Sequence, residues 1–202
     1  MNTLLHLDAE ILPRSLTWER PMSDDEFEAL CFANDSVHFE RTKDGEILMH
    51  APATSRTSDG NSEINRQLRN WWITHRRGKV YEGNAGFFLP DTSMLSPDAS
   101  YLLPTTVKRL EEEGDHIPHV CPDFVIELRS KSDTLRATQE KMKDWIANGV
   151  KLGWLIDPPK RRVFVYSGQA DPVIVSKGAI AGSGPVEGFT LDLNEVWLCY
   201  ES

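Results

Sequence analysis

No stretch of this chain is apolar over the roughly 18 residues that a membrane-spanning helix needs, so no helical span is expected. The opening "MNTLLHLDAE" lacks a basic region followed by an apolar one, so no secretory leader is expected either. Cysteine is scarce. Three residues (Cys31, Cys121 and Cys199) are too few, too far apart and odd in number for a disulfide framework or a thiolate metal clamp. Free thiols in a reducing cytoplasm fit that usage. Positive charge is also short: 22 Lys and Arg against 31 Asp and Glu give a net charge of -9. That balance excludes a broad, sequence-independent nucleic-acid surface but leaves room for a local one. Basic residues cluster in "RRGK" (76–79) and "KRR" (160–162), and recur through "SKSDTLRATQEKMK". The six histidines show no paired helical spacing, and His116 and His119 simply flank Pro118 in a polar stretch. There is no phosphate-binding glycine loop, no dinucleotide fingerprint and no nucleophile elbow.

What remains is the composition of a globular protein, 40% hydrophobic and 26% charged, over 202 residues. One domain spanning 1–202 is expected, with an N-terminal extension (1–35), a core (about 36–170) and C-terminal strands and turns (171–202). "SDDEFEAL" opens a helix, with Ser23 and Glu26 placed as a capping box. "VHFERTKDGEILMHAP" reads as a β-hairpin turning at Asp44-Gly45. Ile64, Leu68, Trp71 and Trp72 recur at helical spacing and predict a long amphipathic helix ending near Gly78. "KVYEGN" and "GFFLPD" read as two strands across a turn. "LSPDASYLL" is a strand entered through Pro97. Residues 104–120 read as a loop with a short helical piece. "SDTLRATQEKMKDWIANG" predicts a second helix, capped by Ser132 or Asp133, with Leu135, Met142, Trp145 and Ile146 as its buried stripe. "LGWLID" and "RRVFVYSG" form a hairpin around Pro158-Pro159. The rest, through "GFTLDLNEVW", reads as short strands and turns. The expected class is α/β (α+β), a mixed sheet flanked by helices.

The chemistry concentrates in "CPDFVIELRSKSD" (121–133). Side chains alternate along a strand, so Asp123, Val125, Glu127 and Arg129 share one face of an otherwise apolar segment. A charge in mid-strand requires a partner. Asp98 in "SPDAS" begins the preceding strand, and if the two strands are neighbours both carboxylates meet. Oxygen ligands of this kind suit Mg²⁺ or Mn²⁺, and such a cation relieves their mutual repulsion. Glu63 on the first long helix is a possible third carboxylate. Lys141, at the edge of the second helix's apolar stripe, is placed to snorkel toward the strand ends, and Arg129 is the other cation at hand. The structural alternatives are an ion pair between Glu127 and Arg129 or a lysine, a strand-entry cap for Asp123, and plain exposed positions for Glu63 and Lys141.

The strings "SPDAS", "PDFVIELRSKSD" and "QEKMKDWIANGVKLGWLIDPPKRRVFVY" together resemble the Uma-two-type family of restriction endonucleases, in the PD-(D/E)XK nuclease superfamily. The match is close over about residues 94–166 and weaker over the hairpin and helix before it and "GFTLDLNEVW" after it. The resemblance implies a restriction-endonuclease-like core with an N-terminal helix and hairpin. It implies Asp98 and Glu127 as metal ligands, with Glu63 as the helix-borne acid. It also implies Mg²⁺- or Mn²⁺-dependent hydrolysis of DNA phosphodiesters. The sequence departs from the superfamily pattern where Arg129 replaces the signature lysine. Arginine keeps the charge but is a poor proton acceptor, so Lys141 is the expected substitute. Lys131 stands where the family commonly has proline. Lys131 and Arg136 are the expected nucleic-acid contacts, and a homodimer addressing both strands of a duplex is the expected assembly. Two other classes stay open: a catalytically inactive nuclease-fold module binding nucleic acid or a protein, and a metal-independent hydrolase using a carboxylate pair.

Overall fold

The computed structural model describes residues 15–16, 20–114, 116–168 and 170–201. The expectation about a leader in the first ten residues lies outside them. In chain order the elements are β1 (Ser15–Leu16), α1 (Asp24–Ala33), β2 (His38–Arg41), β3 (Ile47–His50), α2 (Ser55–His75) and β4 (Lys79–Glu82). Then come β5 (Phe87–Phe88), β6 (Met94–Leu95), β7 (Ala99–Leu102), α3 (Pro104–Glu113), β8 (Phe124–Leu128) and α4 (Leu135–Ala147). The chain closes with β9 (Leu152–Asp157), β10 (Arg162–Tyr166), β11 (Val173–Val175), β12 (Ala179–Ala181), β13 (Thr190–Asp192) and α5 (Leu193–Leu198).

The central sheet has the order β11-β10-β9-β8-β7-β4. Only the β8–β9 pair is parallel, bridged by α4 as a crossover; the other neighbours are antiparallel, so the sheet is mixed. Even-numbered residues of β8 (Phe124, Ile126, Leu128) pack with Ile64 and Leu68 of α2 on one face. Val125 and Leu155 pack with Met142, Trp145 and Ile146 of α4 on the other. Ile64, Leu68, Met142 and Trp145 are fully buried. At about 1.5–3 kcal/mol per large apolar side chain, these anchors fix both helices against the sheet. Two glycines allow that closeness. A Cβ on Gly153 would lie 2.3 Å from the Met142 Cε, and one on Gly60 would lie 3.0 Å from Leu128 Cδ2.

A second sheet, β1-β3-β2-β6-β5, lies over a smaller core of Phe27, Leu30, Phe39, Ile47, Phe88 and Met94. Its β2–β3 hairpin turns through Thr42–Gly45, with Gly45 at φ +82°. The capping box of α1 forms as the sequence predicts.

Three local expectations change. The strands β4 and β5 do not pair with each other; β4 joins β7 in the central sheet and β5 joins β6 in the second. The N-cap of α4 is Thr134, whose hydroxyl accepts from Ala137 N–H. Ser132 and Asp133 belong instead to the preceding loop, where Ser132 and Ser130 share a hydroxyl hydrogen bond and the Asp133 carboxylate accepts from Ser130. "LNEVWL" is the helix α5, not strand, capped by Asp192 and burying Leu193, Val196 and Trp197.

Candidate active site

A cleft of about 950 Å³ opens between the two sheets, walled by the start of α2 and the exposed edge of α4. Its floor is built where β7 and β8 meet. The register that pairs Ala99 with Ile126 sets Asp98, just before β7, across from Glu127. Asp98 is partly exposed to the cleft. Its Oδ2 accepts from Leu128 N–H at 2.7 Å and its Oδ1 from the Asn61 amide at 2.8 Å. Glu127 is buried, and its Oε1 accepts from the Trp145 indole N–H at 2.8 Å. Lys141 reaches down from α4 to Glu127 at 3.0 Å and donates to Ser96 O at 2.9 Å.

The fourth charge is Glu40, in the middle of β2 and 2% exposed. Its Oε1 lies 2.8 Å from both the Lys141 ammonium and Ser96 N–H, and its Oε2 lies 3.0 Å from His50 Nε2. The three carboxylates therefore fall into two electrostatic states. Burial raises Glu127 to about 7; Lys141 offsets this only in part, while Asp98 and Glu40 add repulsion. Burial also raises Asp98, against the Leu128 N–H, Lys141 and Asn61. Burial opposes the charge on Glu40 too, but there Lys141 and His50 prevail and hold it well below the usual carboxylate range. Burial works against Lys141 likewise, yet Glu127 and Glu40 hold it firmly protonated.

Of the residues predicted from sequence, Asp98, Glu127 and Lys141 come together. Two others do not join them. Arg129 turns to Asp157, donating from Nε at 2.9 Å and from Nη2 at 2.6 Å, because β9 runs parallel to β8 and brings a buried carboxylate alongside. Glu63 lies on α2 but is held by Arg66 and Gln67, one helical turn along its own surface, with Gln67 bridging to Asp192. Lys131 and Arg136 are exposed, in the loop before α4 and in its first turn, and neither lines the cleft. Asp123 caps structure, accepting from Leu103 N–H and the Thr106 hydroxyl and pairing with Lys151.

Glu40 was absent from the sequence-level site. The signal existed in "HFER", where Glu40 interrupts a short strand beside buried Phe39 just as Glu127 interrupts β8. Asn61 and His50 were also unforeseen.

The donor set can be tested against a divalent cation. Among the described residues no three His, Cys, Asp or Glu side chains converge to cage one. Asp98 and Glu127 provide two carboxylates, and the buried Asn61 Oδ1 beside them has no partner. Mg²⁺ commonly takes one or two protein carboxylates and completes its shell with water and substrate phosphate. The residues fit that open arrangement and not a closed cage.

Comparison with known structures and families agrees with this architecture. A putative nuclease belonging to DUF820 from Anabaena variabilis ATCC 29413 superposes with a TM-score of 0.73 at 21% identity. The superposition covers 89% of this chain and 99% of that one, and shows a shared fold. No match is found among curated proteins. The family model described as "Putative restriction endonuclease" matches residues 24–194, and the chain therefore belongs to the Uma2 family.

Proposed function

We propose that the protein is a divalent-metal-dependent endonuclease that hydrolyses DNA phosphodiesters, with Mg²⁺ or Mn²⁺ held by Asp98 and Glu127. One observation carries this reading. Two carboxylates from adjacent strands face each other in a cleft, next to a half-buried ammonium and an orphaned amide oxygen. A bound cation there supplies neutralisation at the scissile phosphate and a more acidic attacking water. Asn61 and the Leu128 N–H orient Asp98. The Trp145 N–H fixes the rotamer of Glu127. Lys141 is the phosphate-side cation, so the role expected of Arg129 or Lys141 falls to Lys141, and Arg129 becomes a partner of Asp157. Glu63 is left out of the ligand set because Arg66 and Gln67 hold it. The start of α2 carries no acidic residue in its first turn, and Thr54, Thr57 and Ser58 line the cleft there. That positive helix end and its hydroxyls suit backbone phosphates. Lys131 and Arg136, exposed near the start of α4, extend the contact outward. A homodimer would present two such clefts to the two strands of a duplex, and sedimentation measures it directly.

One observation favours a second reading, a silent nuclease-fold module binding nucleic acid or a protein. Lys141 already neutralises Glu127 and Glu40 together, so the site is partly balanced without metal. Calorimetric titration of Mg²⁺ and Mn²⁺ into wild type, Asp98→Asn and Glu127→Gln, with plasmid nicking on the same samples, separates the two. Binding and nicking lost in both variants support the endonuclease. A folded wild type that binds neither ion supports the silent module.

A further inference from the structure

The cleft has a second wall, and that wall carries a titratable group with no assigned task. His50, at the end of β3, lines the cleft with 41% of its side chain exposed. Its Nε2 lies 3.0 Å from Glu40 Oε2. Glu40 is fully committed: one oxygen takes Ser96 N–H and Lys141, and the other takes His50. A buried, anionic carboxylate at that distance fixes the Nε2–H tautomer, so Nδ1 is the nitrogen left to exchange a proton. Among the described residues Nδ1 has no protein partner. The groups facing His50 are Glu40 and, edge-on at 5.5 Å between ring centroids, His38 on the same strand as Glu40. Burial lowers the pKa of His38; His50 and Lys141 lower it further, while Glu40 and Glu82 oppose them, so His38 serves as a neutral aromatic support.

Asp98 and Glu127 belong to the central sheet, whereas His50 and Glu40 belong to the second. A phosphodiester held by a cation on Asp98 and Glu127 would have one ester oxygen on their side and the other toward the opposite wall. In-line displacement puts the attacking and leaving oxygens on opposite sides of phosphorus. We propose that His50, oriented and charge-balanced by Glu40, is the general acid that protonates the leaving oxygen. This rests on the endonuclease reading above. As the water oxygen bonds to phosphorus, the bond from phosphorus to the leaving ester oxygen breaks. The Nδ1 proton of the imidazolium passes to that oxygen, giving an alcohol and neutral His50. The water's proton leaves to solvent, and His50 regains one from solvent. Glu40 is a positioning residue: it touches His50 and Lys141 and not the substrate.

The test is His50→Gln, an exposed position whose fold is checked by circular dichroism and whose Mg²⁺ affinity is checked calorimetrically. Rates are compared on a series of thymidine 5′-aryl phosphates whose leaving phenols run from weakly to strongly acidic. General-acid catalysis contributes on the order of 10²–10⁴-fold where the leaving group is poor and little where it departs unaided. The variant is therefore expected to lose about 100-fold or more in kcat on the least acidic phenol and less than about fivefold on p-nitrophenol, steepening the leaving-group dependence. An equal loss along the whole series overturns the assignment while leaving the endonuclease reading intact. A wild type that cleaves none of the series, nor plasmid DNA, with Mg²⁺ or Mn²⁺ overturns both.

Discussion

Replacing Glu127 with glutamine is expected to stabilise the protein while abolishing its activity. Glu127 is 5% exposed and burial raises it to about 7, against an ordinary value of 4.5. The native state thus keeps a proton that the unfolded chain releases between those two values. Stability falls as pH rises through that window and the loss is complete above about 7. A difference of that size corresponds to roughly 3 kcal/mol. Glutamine keeps the shape and the acceptor for the Trp145 N–H, and removes the charge. Glu40 does not confuse the comparison, because a carboxylate held low contributes stability that disappears only at more acidic pH. Urea unfolding at pH 5 and pH 8 measures the effect. The two proteins should be similar at pH 5, and the variant should lead by about 2–3 kcal/mol at pH 8, or about 5–10 °C in Tm for a chain of this size. Mg²⁺ at 100 times its Kd should return about 2.7 kcal/mol to the wild type and nothing to the variant. Parallel pH profiles, or a wild type more stable at pH 8, would refute the reasoning and make Glu127 an ordinary ion-pair partner of Lys141.

Lys141→Met leaves Glu40 and Glu127 buried without their shared cation, and denaturant unfolding at pH 8 should show a loss of about 3–5 kcal/mol. Arg129→Ala removes one of two arginines from Asp157, which is 1% exposed and keeps Arg162 at 2.9 Å. Stability should fall by about 1–3 kcal/mol, whereas calorimetric Mg²⁺ affinity stays within about threefold if Arg129 lies outside the site. Fluorescence anisotropy of labelled duplex should show binding in Ca²⁺ and little in EDTA at physiological salt, because acidic residues, Glu40, Asp98 and Glu127 among them, outnumber Lys43 and Lys141 along the cleft. Equal binding in EDTA would move the DNA surface elsewhere.

The parts of this site legible in the sequence are those encoded by local pattern. Glu127 announces itself because a charge in "FVIEL" violates the apolar logic of a buried strand. Lys141 lies one turn before Trp145 on a periodic helix, so its edge position follows from spacing alone. The central hairpin, both long helices and the mixed sheet are legible for the same reason. Glu40 breaks "HFER" in the same way, but its meaning depends on a contact with Ser96 N–H, 56 residues away at the end of the neighbouring strand β6. Arg129 pairs elsewhere because alternation gives the face of a strand correctly but not which neighbour on that face wins. The parallel strand β9 offers Asp157, and two hydrogen bonds to it outweigh a longer reach to Glu127. Glu63 stands apart for a different reason. Position on a helix near the site does not decide rotation about the helix axis, and Arg66 and Gln67 stand where they can hold it. β4 and β5 look like a hairpin locally and are divided between sheets by register that no short window contains.

The arrangement also explains why four charged groups persist where a hydrophobic cluster would fold more easily. If the purpose were stability, Lys141 would neutralise one carboxylate and the others would be apolar. Instead Lys141 is shared. Glu40, with both oxygens engaged and its charge secure, holds Lys141 and His50 in place. Glu127 is left with a raised pKa and Asp98 with one face toward the cleft. The cost of burial thus falls on Glu127 and Asp98, which are raised, and is offset at Glu40. A structural ion-pair network distributes satisfaction evenly; one prepared for a missing positive charge leaves particular members unsatisfied. In the proposed site Glu127 and Asp98 are those members, and Glu40 is the satisfied one.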